Sequence, residues 1–358
     1  MFHRLAKKPS MKIIIDPRTR ISYASYYIAG LWDVFGKENV VFRMQPFKAL
    51  MQKVAEETFD QYFAFVLKEK NRPEQRVVID YRDKSTLNLD ALQWSNVYAK
   101  VNFNSGIDEY VQLRQELKNK IMPAGPNFGV RIWNTMNTIK NLILNYVRSL
   151  AYLPVNFRVF LSGYNWQTKR EAIDVYETAK SQSDYVFHTS SLYINQEHGE
   201  VTSKLRSMFI RTCINNTNCI FEGGLLSRSI NHSNNQFSDV ITKQYYPALI
   251  YLQNIKKSAF VFNTPAAWAC HGWKLGEYLA MGKAIISTPF VNEMPERMIH
   301  GENILFVETE SEIEAAVNLL LSDKTLRKKL ERGAKDYYDK WLKPDVVIKR
   351  IVQKLDAR

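Results

Sequence analysis

Apolar residues along this chain alternate between two patterns. Short unbroken runs have the length of a buried strand, and longer stretches repeat apolar positions every three or four residues, as one face of a helix does. The clearest succession lies at 258–307. Ala259, Phe260, Val261 and Phe262 form a run that Asn263, Thr264 and Pro265 interrupt. Trp273, Leu275, Tyr278, Leu279 and Met281 then follow mostly helical spacing. Gly282 supplies a stop, because glycine enters the left-handed region without a Cβ clash. Runs at 284–287 and 304–307 complete a predicted strand, loop, helix, strand, loop, helix, strand.

The same reading predicts strands at 11–16, 40–42, 77–81, 98–103, 158–164, 185–189 and 219–224. It predicts helices at 27–35 (capped by Ser22 or Ser25), 89–94, 132–150, 204–213, 246–257, 311–321, 324–338 and 345–355. Strands alternating with helices predict an α/β chain whose sheets bind ligands at the carboxyl ends of their strands. A length of 358 residues is enough for two cores. Pro154 marks a linker, which gives an N-terminal domain at 1–153, a second at 154–340 and a last helix at 341–358. Residues 1–10, ahead of the first strand, read as a flexible arm, and the polar stretch 231–236 as a mobile loop.

Candidate chemistry gathers at the start of the helix after Pro265. Cys270, His271 and Gly272 stand at the turn, where unpaired backbone N–H groups and the positive helix end favour an anion. Gly272 lets a phosphate approach the backbone. Lys274 places a cation in the first turn, where the dipole alone disfavours one, so a bound anion accounts for it. Glu277, three residues on, projects from the same face and can bind a diol. His271 either touches phosphate or sugar or packs beside Trp273. Asp16, at the end of the first strand, is either a general base or the partner of Arg18 or Arg20. Asp80, Arg82, Asp83 and Lys100 also stand at strand ends.

The segment WKLGEYLAMGKAIIST resembles the donor site of GT-B glycosyltransferases, in particular the group 1, nucleotide-sugar-dependent enzymes of bacterial polysaccharide biosynthesis. The likeness is good across 245–344, faint across 157–221 and architectural before that. It implies two Rossmann-like domains with an interdomain cleft, and transfer of a sugar from a nucleotide-diphosphate donor to a glycan or lipid-linked saccharide. These enzymes carry a Glu-x7-Glu pattern whose second member holds the ribose; Glu277 falls on it, while Ala269 stands at the first. The resemblance further implies that the first-domain loop 16–26 faces the acceptor, with Asp16 as a candidate base, that Arg170 clamps the diphosphate, and that the final helix returns to the first domain; Arg170 or Arg206 is the expected partner of Lys274 and the Cys270 to Trp273 backbone there. Other nucleotide-sugar chemistry on this architecture, such as epimerisation, and binding without catalysis are the alternatives. A phosphorylase is a poor fit, since no pyridoxal lysine is identifiable.

Net charge of +13 gives the chain anionic partners. No helix-turn-helix, zinc or RNA-recognition signature is present and the charge is spread, so nucleic acid is not expected. A nucleotide sugar, and peripheral association with an anionic membrane bearing the acceptor, fit better. No apolar run reaches the ~20 residues of a spanning helix, and no signal-peptide core follows the basic start. Three cysteines give neither a disulfide framework nor a paired metal spacing, which fits the cytoplasm or its membrane face. The absence of an Asp-x-Asp motif leads to the expectation of a metal-independent enzyme without a cofactor.

Overall fold

A computed structural model describes residues 11–50, 62–153, 157–193, 199–227 and 235–357. The N-terminal arm, the Pro154 linker and most of 231–236 lie outside them. The chain forms two compact α/β units. One comprises Met1–Gly125, Gly129–Ala172 and Lys343–Arg358, the other Pro126–Phe128 and Ile173–Leu342.

The first unit is built on a six-stranded sheet: β1 (Lys12–Ile15), β2 (Val40–Phe42), β3 (Tyr62–Lys68), β4 (Gln75–Asp80), β5 (Val97–Lys100) and β6 (Ile121–Pro123), in the order β2-β1-β3-β4-β5-β6. All neighbours pair in parallel except β3, which runs antiparallel to both β1 and β4. β3 has no counterpart among the predicted elements, although YFAFVLK is an unbroken apolar run buried up to its lysine. The helix Ile21–Phe35 begins earlier than its apolar spacing predicts, and no side chain caps it. Ser25 instead accepts a hydrogen bond from the Val130 N–H at 3.0 Å.

The segment 157–168, predicted to open the second domain as a strand, is a helix of the first unit, which therefore runs past the expected boundary at 153/154 to Ala172. Its buried residues Phe160, Gly163, Tyr164 and Gln167 recur at helical spacing. Tyr164 stacks on Trp133, and Gln167 accepts from the Ile132 N–H at 2.9 Å. The last helix, Pro344–Asp356, also belongs to this unit. It crosses Ile21–Phe35 at Gly30, where a Cβ would lie 2.3 Å from the Pro344 carbonyl oxygen, so only glycine permits the approach.

The second unit holds six short strands: β7 (Tyr185–Ser191), β8 (Ile220–Leu226), β9 (Ile241–Thr242), β10 (Val261–Asn263), β11 (Ile285–Ser287) and β12 (Leu305–Phe306). They form two parallel three-stranded sheets, β7-β8-β9 and β10-β11-β12. The sheets adjoin along β7 and β10, where the Ala259 N–H donates to the Tyr185 carbonyl at 2.7 Å. The order across the unit is therefore β9-β8-β7-β10-β11-β12, the doubly wound order, with its reversal at the β7/β10 seam. The predicted helix Trp273–Ala280 follows β10, and Gly282 ends it with a φ of 58°. The second helix predicted before 304 is absent: 288–303 is turns and bends, interrupted by Pro295 and by Gly301 at a φ of 76°.

Ser258 closes the seam. Its hydroxyl accepts from the Phe187 N–H at 2.9 Å and donates to the Asn254 carbonyl at 3.0 Å, and its own carbonyl accepts from the Lys283 ammonium at 2.5 Å. Replacing Ser258 with Ala leaves the buried Phe187 N–H without that partner. Urea unfolding should show a loss of about 1–3 kcal/mol; an unchanged midpoint would mean the seam does not depend on this hydroxyl.

Candidate functional site

The reversal of strand order leaves a crevice at the carboxyl ends of β7 and β10. A cavity of about 150 Å³ occupies this place in the second unit. His188, Ser190 and Ser191 come from the end of β7, Asn263 and Thr264 from the end of β10, Arg206 from the helix Gly199–Asn215, and Gly272 and Lys274 from the start of Trp273–Ala280.

Two cations share this cavity. Arg206 is buried; its Nε donates to Thr264 Oγ1 at 2.9 Å, one terminal nitrogen donates to the Ser191 carbonyl at 3.1 Å, and its guanidinium lies 5.1 Å from the centre of the Tyr193 ring. The Lys274 ammonium donates to the Thr189 carbonyl. Burial, with Arg206 nearby, lowers the Lys274 pKa to about 7, against which the Glu277 carboxylate pulls upward. Burial also lowers that of Arg206. Buried like charges repel one another, and the Glu277 carboxylate offsets this only in part at Lys274.

His188 is buried beside them. Its Nε2 shares a 3.1 Å hydrogen bond with Ser190 Oγ, and Nδ1 has no hydrogen-bond partner among the described residues. Burial first, then Lys274 and Arg206, hold the ring neutral. Neither His188 nor Ser190 is marked by a motif in the sequence. The available signal was the polar tail HTSS closing an apolar strand ahead of the topological switch.

Of the predicted donor-site residues, Arg206, Gly272 and Lys274 meet at the cavity. Gly272 has an ordinary φ of −71°, and a Cβ there would reach only the Ala266 Cβ at 3.8 Å. Its contribution is an open approach to the helix start, which no side chain caps. Glu277 is buried one turn on and accepts from the Tyr251 hydroxyl at 3.2 Å. His271 does not line the cavity. It packs edge-on against Phe290, and burial lowers its pKa to about 4. The loop into the helix is strained: Trp268 and Ala269 have φ of 62° and 55°, and Asn292 holds the Ala269 carbonyl at 2.9 Å.

The two remaining candidates belong to the first unit. The Arg170 guanidinium sits 5.8 Å from the Trp166 ring centre. Asp16 is fully buried, and both its carboxylate oxygens accept from Arg18, which also donates to the Phe47 and Leu50 carbonyls. Of the two roles open to Asp16, the ion pair is therefore the one the structure contains. The same clasp recurs at Asp80 and Arg82, at the end of β4, with 2.9 Å and 2.7 Å bonds matching the 2.9 Å and 2.8 Å bonds of the first. Lys100, 3.2 Å from Asp80, and the Tyr98 hydroxyl join that second pair. Burial alone would raise the Asp80 pKa, but Lys100 and Arg82 hold it below the ordinary carboxylate range.

The sequence matches no protein-family profile and no curated protein. Among solved structures, the chain is similar to the C-terminal domain of a group 1 family glycosyltransferase (LpcC) from Francisella tularensis, at 15% identity and a TM-score of 0.34 over 47% of this chain and 95% of that one. A glycosyltransferase from Rickettsia africae ESF-5 matches at 12% identity and a TM-score of 0.41, covering 76% and 68%. HepE of Anabaena, in complex with UDP-glucose, matches at 10% identity and a TM-score of 0.38, covering 75% and 82%.

Two outcomes follow from the charge geometry. Asp16→Asn leaves Arg18 as a buried cation without this counter-ion, and equilibrium unfolding should register a loss of about 3–5 kcal/mol; a fully stable Asn variant would mean that the pair does not hold this loop. For Lys274 the sign is the opposite. Its pKa of about 7, and that of Lys283 at about 8, lie below the ordinary lysine value. Above these values the unfolded chain binds more protons than the folded one, so the ligand-free protein should gain stability as the pH rises from about 7 to about 9. Lys274→Met should flatten that slope in melting curves, and a slope identical to the parent's would mean the ammonium is not desolvated.

Proposed function

We propose that this chain is a glycosyltransferase that moves a sugar from a nucleotide-diphosphate donor to a saccharide or lipid-linked acceptor. The observation that carries the reading is the meeting of Lys274 and Arg206 in one buried cavity at the switch point, with Glu277 one turn along the same helix. A diphosphate supplies the two or more negative charges that the cation pair lacks. The uncapped start of Trp273–Ala280 adds the positive end of the helix dipole.

The chemistry follows from where charge develops. As the bond from the anomeric carbon to the diphosphate oxygen breaks, negative charge accumulates on the leaving group. Lys274 and Arg206 are already in place to receive it. Because burial lowers the pKa of the empty Lys274 to about 7, an entering phosphate favours protonation of its amine, and the positive charge is greatest when the donor is bound. Glu277 accepts hydrogen bonds from the ribose diol, a part of the donor that does not change during transfer. His188, neutral and beside Ser190, lines the cavity wall and can donate or accept a hydrogen bond there.

The proposal includes metal independence, since two side-chain cations bring the charge a divalent ion would otherwise supply. It also includes a hexosyl donor and work at the inner face of the cell membrane. No helix among the described residues is long and apolar enough to cross a membrane.

Steady-state kinetics with varied donor test the reading. Lys274→Ala should lower kcat as well as donor affinity, by about 3 kcal/mol in the transition state. Glu277→Gln should mainly raise the donor KM, by an amount corresponding to about 1.5–3 kcal/mol. Wild-type kinetics in both variants would remove this helix from the donor site. Nucleotide-sugar binding by the parent with no turnover on any saccharide would favour a binding protein.

A further inference from the structure

The helix Thr135–Ser149 is inside out. The face it turns to its own unit is largely polar: Thr138, Asn145 and Ser149 are buried there with Leu142. Those polar groups are satisfied. Thr138 donates to the Asn134 carbonyl at 2.8 Å and accepts from Gln167 at 2.8 Å, the Asn145 amide donates to the Tyr164 hydroxyl at 2.9 Å, and Ser149 donates to the Asn145 carbonyl at 2.6 Å. The apolar residues point the other way. Met136 is 82% exposed, Val147 66% and Ile143 56%, and Ile139 and Leu150 lie on the same arc. A water-facing helix ordinarily shows the reverse arrangement, and an exposed apolar stripe of this kind marks an interaction surface.

The charge around the stripe identifies what covers it. The sequence contains no Asp or Glu between Glu116 and Glu171. Lys140 lies within the stripe, Arg148 is exposed on this helix and Arg158 on the neighbouring Phe157–Thr168. That neighbour adds the exposed Phe157, 4.9 Å from Tyr146. Apolar side chains, interfacial aromatics and cations without acids are what a helix lying in an anionic bilayer surface carries. A second copy of the chain fits poorly, because an isologous contact would set these cations against their own images.

We propose that the helix Thr135–Ser149 docks on an anionic lipid surface, burying Met136, Ile139, Ile143 and Val147 among the acyl chains with Lys140 and Arg148 at the headgroups. The inference rests on and deepens the membrane-face placement in the proposed function, and its test uses no donor or acceptor, so its failure would leave the proposed transfer reaction standing. The full-length protein is sedimented with vesicles of phosphatidylcholine containing roughly one-third phosphatidylglycerol, and with vesicles of phosphatidylcholine alone. The parent should pellet with the anionic vesicles only. The triple variant Met136→Ser, Ile143→Ser, Val147→Ser should partition roughly tenfold more weakly or worse, with a melting temperature no lower than the parent's. The pair Lys140→Glu, Arg148→Glu, which leaves the apolar stripe intact, should also lose binding. A parent that stays in the supernatant, or variants of both kinds that bind as the parent does, would overturn the proposal. So would sedimentation velocity without lipid that finds a dimeric parent and a monomeric triple variant, since that assigns the face to a second copy.

Discussion

The candidate site depends on a seam in the second unit that is closed by a serine as well as by backbone. Where β7 meets β10, the direction in which the sheet grows reverses, and neighbouring loops part to leave a crevice. The strands there are joined by the Ala259–Tyr185 bond and by the Ser258 hydroxyl, and the buried Lys283 ammonium holds the Ser258 carbonyl from the far side. With the seam fixed, the ends of β7 and β10 are fixed too. His188, Ser190 and Thr264 then stand opposite Arg206 and the start of Trp273–Ala280. The cavity is thus a consequence of strand order, and its chemistry comes from the residues placed at the strand ends.

Buried charge is handled in two ways. In the first unit, Asp16 with Arg18 and Asp80 with Arg82 form matching clasps in which the acceptor capacity of a buried carboxylate is met from within the chain. Such pairs fix loops at strand ends and leave little for a ligand to do. In the second unit, Lys274 and Arg206 find chiefly neutral carbonyl and hydroxyl oxygens, and both become easier to deprotonate. Lys283 shares that environment while closing the seam, so it is the meeting of Lys274 and Arg206 at the cavity, and not a lowered pKa alone, that sets the candidate site apart from the scaffold.

Much of this was legible in the sequence where local pattern and tertiary role agree. The run 259–262, the helical spacing after Gly272 and the stop at Gly282 carry the meaning the structure gives them, and Lys274 stands in the first turn of the helix. The pattern was ambiguous at 157–168, where Phe, Val and Phe favour a strand while the spacing of Phe160, Tyr164 and Gln167 favours a helix. Packing against Trp133 and Ile132 decided it. The side-chain clasp on Asp16 could not be assigned from sequence, because a carboxylate at a strand end looks the same whether its partner is a neighbouring arginine or a substrate. Helix Thr135–Ser149 shows a further limit: periodicity revealed that it is amphipathic but not which face turns inward.

The placement of Pro344–Asp356 on Gly30 bears on the order of assembly. The first unit is made from the earliest described residues of the chain and from its latest, whereas the second is drawn almost wholly from one continuous stretch, Ile173–Leu342. During synthesis, domains form as their residues emerge. The second unit can therefore close while the first still lacks the helix that covers Ile21–Phe35. Of the two units, the one begun earlier is the one completed later, and until then its bare helix surface is what a chaperone would meet.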